Sequence, residues 1–281
     1  MPIDYDPRIE SLIHPERRDT VFTAGTQYSR VQLAVEAARL AYYKAEDGGP
    51  QLDRLASALR LVGCSELQHF GSAVGTQAFA AYDRANRIAL VAFRGTESDS
   101  IADIGIDASV LPTPWKGGGL VHAGFAVAFD RVQAPIEQWL GAVASDRAAL
   151  LLCGHSLGAA LATLAASVWQ PAQLITIGSP LVGNKQFVDS LTGVESQRIV
   201  NCCDLVARVP PSLLGYEHLP RPTFITWNAE LSQDPSAAAI DQNRHLGRAE
   251  YFAHHALRLG NAPTRDLADH APVNYLRAFF K

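Results

Sequence analysis

Residues 154–158 read Gly-His-Ser-Leu-Gly, and no other Gly-x-Ser-x-Gly occurs in the chain. The pentapeptide lies between the apolar run Leu150-Leu151-Leu152-Cys153 and an Ala/Leu-rich stretch at 157–169. In a strand–turn–helix of this kind the tight turn lifts the serine hydroxyl out of the backbone. Glycines two places before and two places after Ser156 leave room for neighbouring elements to approach. The helix N-terminus behind the serine offers unpaired N–H groups and partial positive charge, which favour an anion forming there. Without that context the same five letters would be a chance turn sequence.

A serine hydroxyl is a poor nucleophile at neutral pH and needs a general base, which in turn needs an orienting carboxylate. With a nucleophile on such a turn, both partners are expected downstream, the acid first. Asp204 follows the segment Ile199-Val200-Asn201-Cys202-Cys203 and precedes a Pro-rich loop, so it stands where a strand ends. Asp189 falls inside a predicted helix at 185–191, and Asp234 and Asp241 follow no apolar run, so these three read as solvated carboxylates. His218, His245, His254, His255 and His270 all lie beyond Asp204. Spacing alone divides the choice of base between His270, in a loop before the last predicted helix, and the pair His254-His255.

Elements that could hold these groups follow from periodicity. Val31, Ala34, Val35, Ala38, Ala41 and Tyr42 recur near every 3.6 residues behind Ser29, a helix with a serine cap, and Leu52, Leu55, Ala56, Leu59 and Val62 repeat the pattern. The segments 76–82 and 88–93 flank Asp83-Arg84-Ala85-Asn86 and predict a hairpin. Beyond it short continuous apolar runs at 150–153, 174–177 and 199–200 alternate with predicted helices at 157–169 and 185–191. Such runs suit strands buried on both faces, hence an α/β chain with a mostly parallel sheet. A further strand is expected at 223–227 and a helix at 268–280. With no repeat or linker, the organisation expected is one domain over 1–281, with a helical section at 1–62 packed on it.

Composition narrows the function. In 281 residues, 48% are apolar and 19% charged, and Gly and Pro number 21 and 16, which excludes a disordered or collagen-like chain. The net charge of −4, with no local Lys/Arg cluster, argues against nucleic acid as a partner. Cys64, Cys153, Cys202 and Cys203 include no Cys-x-x-Cys pair and read as reduced, mostly buried thiols. The run 148–184 lacks charge but is cut by Gly154-His155-Ser156 and by Gln170-Pro171-Ala172-Gln173 into pieces too short to span a bilayer. The first residues alternate in charge without an apolar stretch, so the expectation is a cytoplasmic chain, with a removed leader or a leader-independent export route as the alternatives.

The chain resembles the class 3 lipases, a family of fungal triacylglycerol lipases, feruloyl esterases and bacterial relatives. The blocks that carry the resemblance are Val91-Ala92-Phe93-Arg94-Gly95-Thr96, Val121-His122-Ala123-Gly124-Phe125, residues 153–164, and Thr176-Ile177-Gly178-Ser179-Pro180 with Gly183-Asn184. Val200-Asn201 with Asp204, Val209-Pro210-Pro211, Gly215-Tyr216-Glu217-His218 and Asp269-His270 with Asn274-Tyr275 complete the set, in family order. The resemblance implies an α/β-hydrolase fold with Ser156 as nucleophile, Asp204 as orienting acid and His270 as base. It also implies an oxyanion hole from Thr96, through its N–H and hydroxyl, and Leu157 N–H, with Arg94 and Gly95 supporting that loop. Nothing is carried over to the first 60 residues or so or to 228–263.

The function this implies is hydrolysis of carboxylic esters, foremost acylglycerols, through an acyl-enzyme and without cofactor or metal. Phospholipase A1 or small-ester and feruloyl-type esterase activity is the alternative, and a lipase-like binding module without activity the least favoured. The partner expected is a lipid or other ester, with transient contact at lipid surfaces. The acidic residues Glu97, Asp99, Asp103 and Asp107 lack the spacing of a calcium loop and read as a solvated edge. The family also implies a mobile lid, here 98–119, made apolar by Ile101, Ile104, Val110, Leu111 and Trp115, with Gly105 and Gly117-Gly118-Gly119 as hinges.

Overall fold

A computed structural model describes residues 2–71, 75–95 and 111–281. Thr96, the acidic cluster and the part of the expected lid at 98–110 lie outside the described residues.

Eight of the strands form one sheet: β1 (Ser65–Gly71), β2 (Gln77–Asp83), β3 (Ile88–Phe93), β6 (Ala149–His155), β7 (Gln173–Ile177), β9 (Glu195–Asn201), β11 (Thr223–Ile225) and β12 (Leu231–Gln233), side by side in that order. The five strands β3, β6, β7, β9 and β11 run parallel to their neighbours, and the antiparallel pairs β1–β2–β3 and β11–β12 close the two edges. Residues 78–83 face 88–93 across the hairpin expected from the sequence. The remaining short strands, β4 (Pro112–Pro114), β5 (Leu120–His122), β8 (Gly183–Asn184) and β10 (Tyr216–Glu217), make a second small sheet.

The main sheet is buried on both faces, and its alternation sorts the side chains. Phe79, Ala81, Leu90, Ala92, Leu151 and Cys153 pack on one side with α2 (Arg30–Leu40), α3 (Gly49–Arg60) and α9 (Pro272–Leu276). Ala78, Ala80, Tyr82, Val91, Phe93 and Leu152 pack on the other with α4 (Ala123–Ala142) and α5 (Leu157–Val168). Ser29 caps α2 in a reciprocal box with Gln32. One turn along, the fully buried Glu36–Arg39 pair lets Arg39 donate to the carbonyls of Pro15 and Arg18. The N-terminal section is thereby fixed to the sheet through α2, which packs on β6 and β7. No described helix is long and apolar enough to cross a membrane.

Three departures from the sequence reading matter. First, the helix expected at 268–280 is broken into α8 (Arg265–Ala268) and α9. Pro272 occupies the first turn of α9, so the residues before it must leave the helical path, and the resulting turn carries His270 inward. Second, Trp115, read as part of an apolar lid, is instead 8% exposed in the core, where its indole N–H donates to Ser167 Oγ at 2.7 Å and its ring meets Phe129. Third, Gly117-Gly118-Gly119, read as a hinge, close the β4–β5 hairpin, with Trp115 and Gly119 joined by a backbone hydrogen bond. α1 (Ile9–Ile13), α6 (Lys185–Ser190) and α7 (Ala237–His254) complete the described helices.

Candidate active site

Ser156 sits at the C-terminal end of β6 with φ 58° and ψ −128°, a strained conformation for a residue with a side chain. The flanking glycines are required by contact. A Cβ on Gly154 would lie 2.2 Å from the carbonyl oxygen of Gly158, and one on Gly158 would lie 2.1 Å from that of Phe93. Close crossing of β3, β6 and α5 therefore forces the turn, and the turn throws Ser156 Oγ clear of the backbone. Leu157 opens α5, where the first N–H groups have no acceptor within the helix.

Asp204 follows β9, fully buried, and its carboxylate is saturated. Oδ2 accepts from His270 Nδ1 at 2.8 Å and from the Tyr275 hydroxyl at 2.5 Å, and Oδ1 accepts from Val206 N–H at 2.8 Å. With Nδ1 committed to Asp204, the other ring nitrogen of His270 is left for a second partner. Nε2 of His270 and Oγ of Ser156 are both buried and, among the described residues, both lack a hydrogen-bond partner. Buried polar atoms are rarely left without a partner, so a hydroxyl and an imidazole nitrogen left so mark a candidate functional site.

His270 is held from behind by residues scattered along the chain. His155 Nε2 lies 2.7 Å from the His270 carbonyl, which can only accept, so Nε2 carries the proton and Nδ1 accepts from Tyr42 OH, also at 2.7 Å. Burial and then the neighbouring His270 push the His155 pKa well below its ordinary value, so this ring stays neutral, 4.4 Å from the His270 ring. Asp269 is fully buried and accepts from Tyr5 OH, Cys203 N–H and Arg265 Nε, while Asn201 Nδ2 donates to the Asp269 carbonyl. Asn274 accepts from Asp6 N–H and donates to the carbonyls of Asp6 and Ala268.

Of the residues named from the sequence, Asp204 and His270 are joined directly, and Ser156 and Leu157 occupy the turn expected of them. Arg94 Nη1 pairs with buried Glu46 at 3.0 Å, tying the strand end before Thr96 to the turn behind α2. His218 donates Nε2–H to the Ala207 carbonyl, and His254 and His255 lie at the end of α7 without a hydrogen bond to Asp204. Asp189 pairs with Lys185 at the surface. Among the described residues, Cys202, Cys203 and Asp269 are the one group close enough to hold a metal ion. The hydrogen bond with Cys203 and then burial push the Cys202 thiol toward its protonated form, and Asp269 is already taken by Arg265, so the donor set does not suit a cation. All four cysteines are free and buried. Tyr42, Tyr5 and Arg265 carried no signal in the sequence. Asn201, Asn274 and Tyr275 stood in the family blocks but with no role attached.

The family profile described as Lipase (class 3) matches residues 90–214, the stretch from β3 through the turn after Asp204. Over that stretch the chain is similar to the class 3 lipases. Secreted mono- and diacylglycerol lipase 1 of Fusarium solani is 35% identical over 161 residues, 53% of this chain and 48% of the relative. Secreted mono- and diacylglycerol lipase A of Penicillium cyclopium is 28% identical over 221 residues, 72% of this chain and 71% of the relative. The chain therefore spans about half the length of the first relative. Lipase II from Rhizopus niveus superposes with a TM-score of 0.56 at 25% identity, covering 70% of this chain and 79% of that one, in keeping with an α/β-hydrolase fold. The secreted relatives overturn the cytoplasmic location expected from the sequence and point outside the cell. That expectation rested on a missing apolar start, and an absence at a chain end does not fix a compartment.

Proposed function

We propose that the chain is a serine hydrolase of carboxylic esters, acting on acylglycerols through Ser156, His270 and Asp204. The observation that carries this reading is that Ser156 Oγ and His270 Nε2 are both buried with no partner among the described residues, while the other nitrogen of His270 is fixed by Asp204. In the reaction His270 Nε2 takes the Ser156 proton as Oγ attacks the ester carbonyl. The oxyanion is held by Leu157 N–H and by Thr96, and the imidazolium, stabilised by Asp204, returns its proton to the departing alcohol. Water then repeats the two proton transfers, freeing the acid and restoring Ser156. No step requires a cofactor. Hydrogen bonds from Tyr275, Val206 and His270 hold the Asp204 carboxylate in place.

The relatives named as mono- and diacylglycerol lipases support acylglycerols as the substrate class. The test is a kcat/KM series over p-nitrophenyl esters of rising chain length, run beside diacylglycerol and phosphatidylcholine, for wild type and Ser156→Ala. Turnover of diacylglycerol that is lost in Ser156→Ala is expected. Faster turnover of phosphatidylcholine would make the enzyme a phospholipase, and no turnover of any ester would refute the reading.

A further inference from the structure

The turn after Asp204 also walls a second cavity, one that Ser156 and His270 do not line. Arg198 from β9, Arg208 from the turn and Arg244 from α7 line a space of about 330 Å³, at the small end of ligand sites. Ser212 adds a hydroxyl, and the rest of the wall is mainly apolar, Val200, Phe224 and Ile240 among it. No carboxylate is among the described residues that line it.

These cations are poorly compensated. Arg198 donates Nε to the Leu219 carbonyl and has no ion pair among the described residues, and burial pulls its pKa down to about 10. Arg208 gives one nitrogen to Asp266 at 2.7 Å, an acid it shares with Arg248, while its Nε is buried without a partner among the described residues. Arg244 faces Asp241 at 3.6 Å, but that carboxylate is 76% exposed. Burial and then Arg208 lower the pKa of Arg244. His218 adds no charge, since burial and Arg198 bring its pKa to about 3. Like charges gathered in a part-buried, partly apolar space oppose folding unless an anion or water completes them.

We propose that this cavity binds an amphiphilic anion, a carboxylate or phosphate head seated among Arg198, Arg208 and Arg244 with a short apolar body against Val200, Phe224 and Ile240. The guanidinium fork matches both heads in two-point contact. A fatty carboxylate and an alkyl phosphate share this chemistry. The cavity adjoins the candidate active site along the chain. Arg208 lies four residues beyond Asp204, and Val206 between them donates to Asp204 Oδ1.

Thermal unfolding of the full chain tests this with octanoate, octyl phosphate, inorganic phosphate and octanol. Octanoate or octyl phosphate should raise Tm with the logarithm of concentration, by roughly 5 °C at a hundred times Kd, and the stronger of the two identifies the head group. Arg198→Gln and Arg244→Gln should each weaken binding about tenfold or more, and should Arg198→Gln fail to fold, the part-exposed Arg244 carries the comparison. Hydrogen exchange in wild type should show octanoate protecting 205–212 and the first half of α7. Octanol matching octanoate, inorganic phosphate matching octyl phosphate, unchanged affinity in Arg244→Gln, or protection confined to the surroundings of Ser156 would each overturn the proposal.

Discussion

The serine half and the acid–base half of the candidate site are built in opposite ways. Ser156 is placed by its own neighbours in sequence, a strand, two glycines and a helix start, and the contacts of Gly154 and Gly158 determine its geometry. Asp204 and His270 are separated by 66 residues and are held by groups from the two ends of the chain, among them Tyr5, Asp6, Tyr42, Arg265, Asn274 and Tyr275. A local device can be damaged in its chemistry and still fold. A remote network should carry stability and chemistry together, because the residues that hold His270 also join the terminal segments to the sheet.

Substitutions should separate the two halves. Ser156→Ala should reduce kcat by 10⁴- to 10⁶-fold, with little further loss in the double variant with His270→Ala and with a nearly unchanged melting curve. Asp204→Asn should lose roughly 10⁴-fold through the wrong histidine tautomer. On the remote side, Arg265→Met leaves the Asp269 carboxylate buried and unpaired, and denaturant unfolding should show a loss of about 3 to 5 kcal/mol. Tyr275→Phe removes one charge-assisted hydrogen bond from Asp204, and steady-state kinetics should show kcat down by about 10- to 100-fold with KM little changed. Equal stability losses for Ser156→Ala and Arg265→Met would erase the contrast.

A further effect is expected on pH. His155 and His218 have folded pKa values below the ordinary value, so the unfolded chain binds the extra protons. Their contribution is complete above the unfolded pKa of about 6.5 and is lost as pH falls toward the folded values, by about 1.4 kcal/mol per pH unit for each. Urea unfolding between pH 7 and pH 4.5 measures the slope, and His218→Gln should roughly halve this part of it.

What the sequence showed follows the same division. The parallel sheet, the hairpin at 83–86, the capped α2 and the serine turn were legible because each rests on contiguous residues: apolar runs, alternation, glycine spacing and a cap. The choice among His254, His255 and His270 was not legible from spacing, since it depends on a turn set by Pro272 and on partners more than 200 residues away, such as Asp6 for Asn274. Trp115 was misread because an apolar residue beside three glycines looks the same on a moving flap and in a hairpin anchored to a helix. The Tyr42–His155 contact joins a helix end to the serine turn across 113 residues and has no local pattern.

Incubation with a fluorophosphonate probe, followed by intact mass and peptide mapping, tests the central assignment most directly. One adduct on Ser156, formed at a rate that falls steeply in His270→Ala and is unchanged in His254→Ala, is the result expected. A folded protein that takes no label, or label on another residue at the same rate in Ser156→Ala, would contradict the assignment of nucleophile and base.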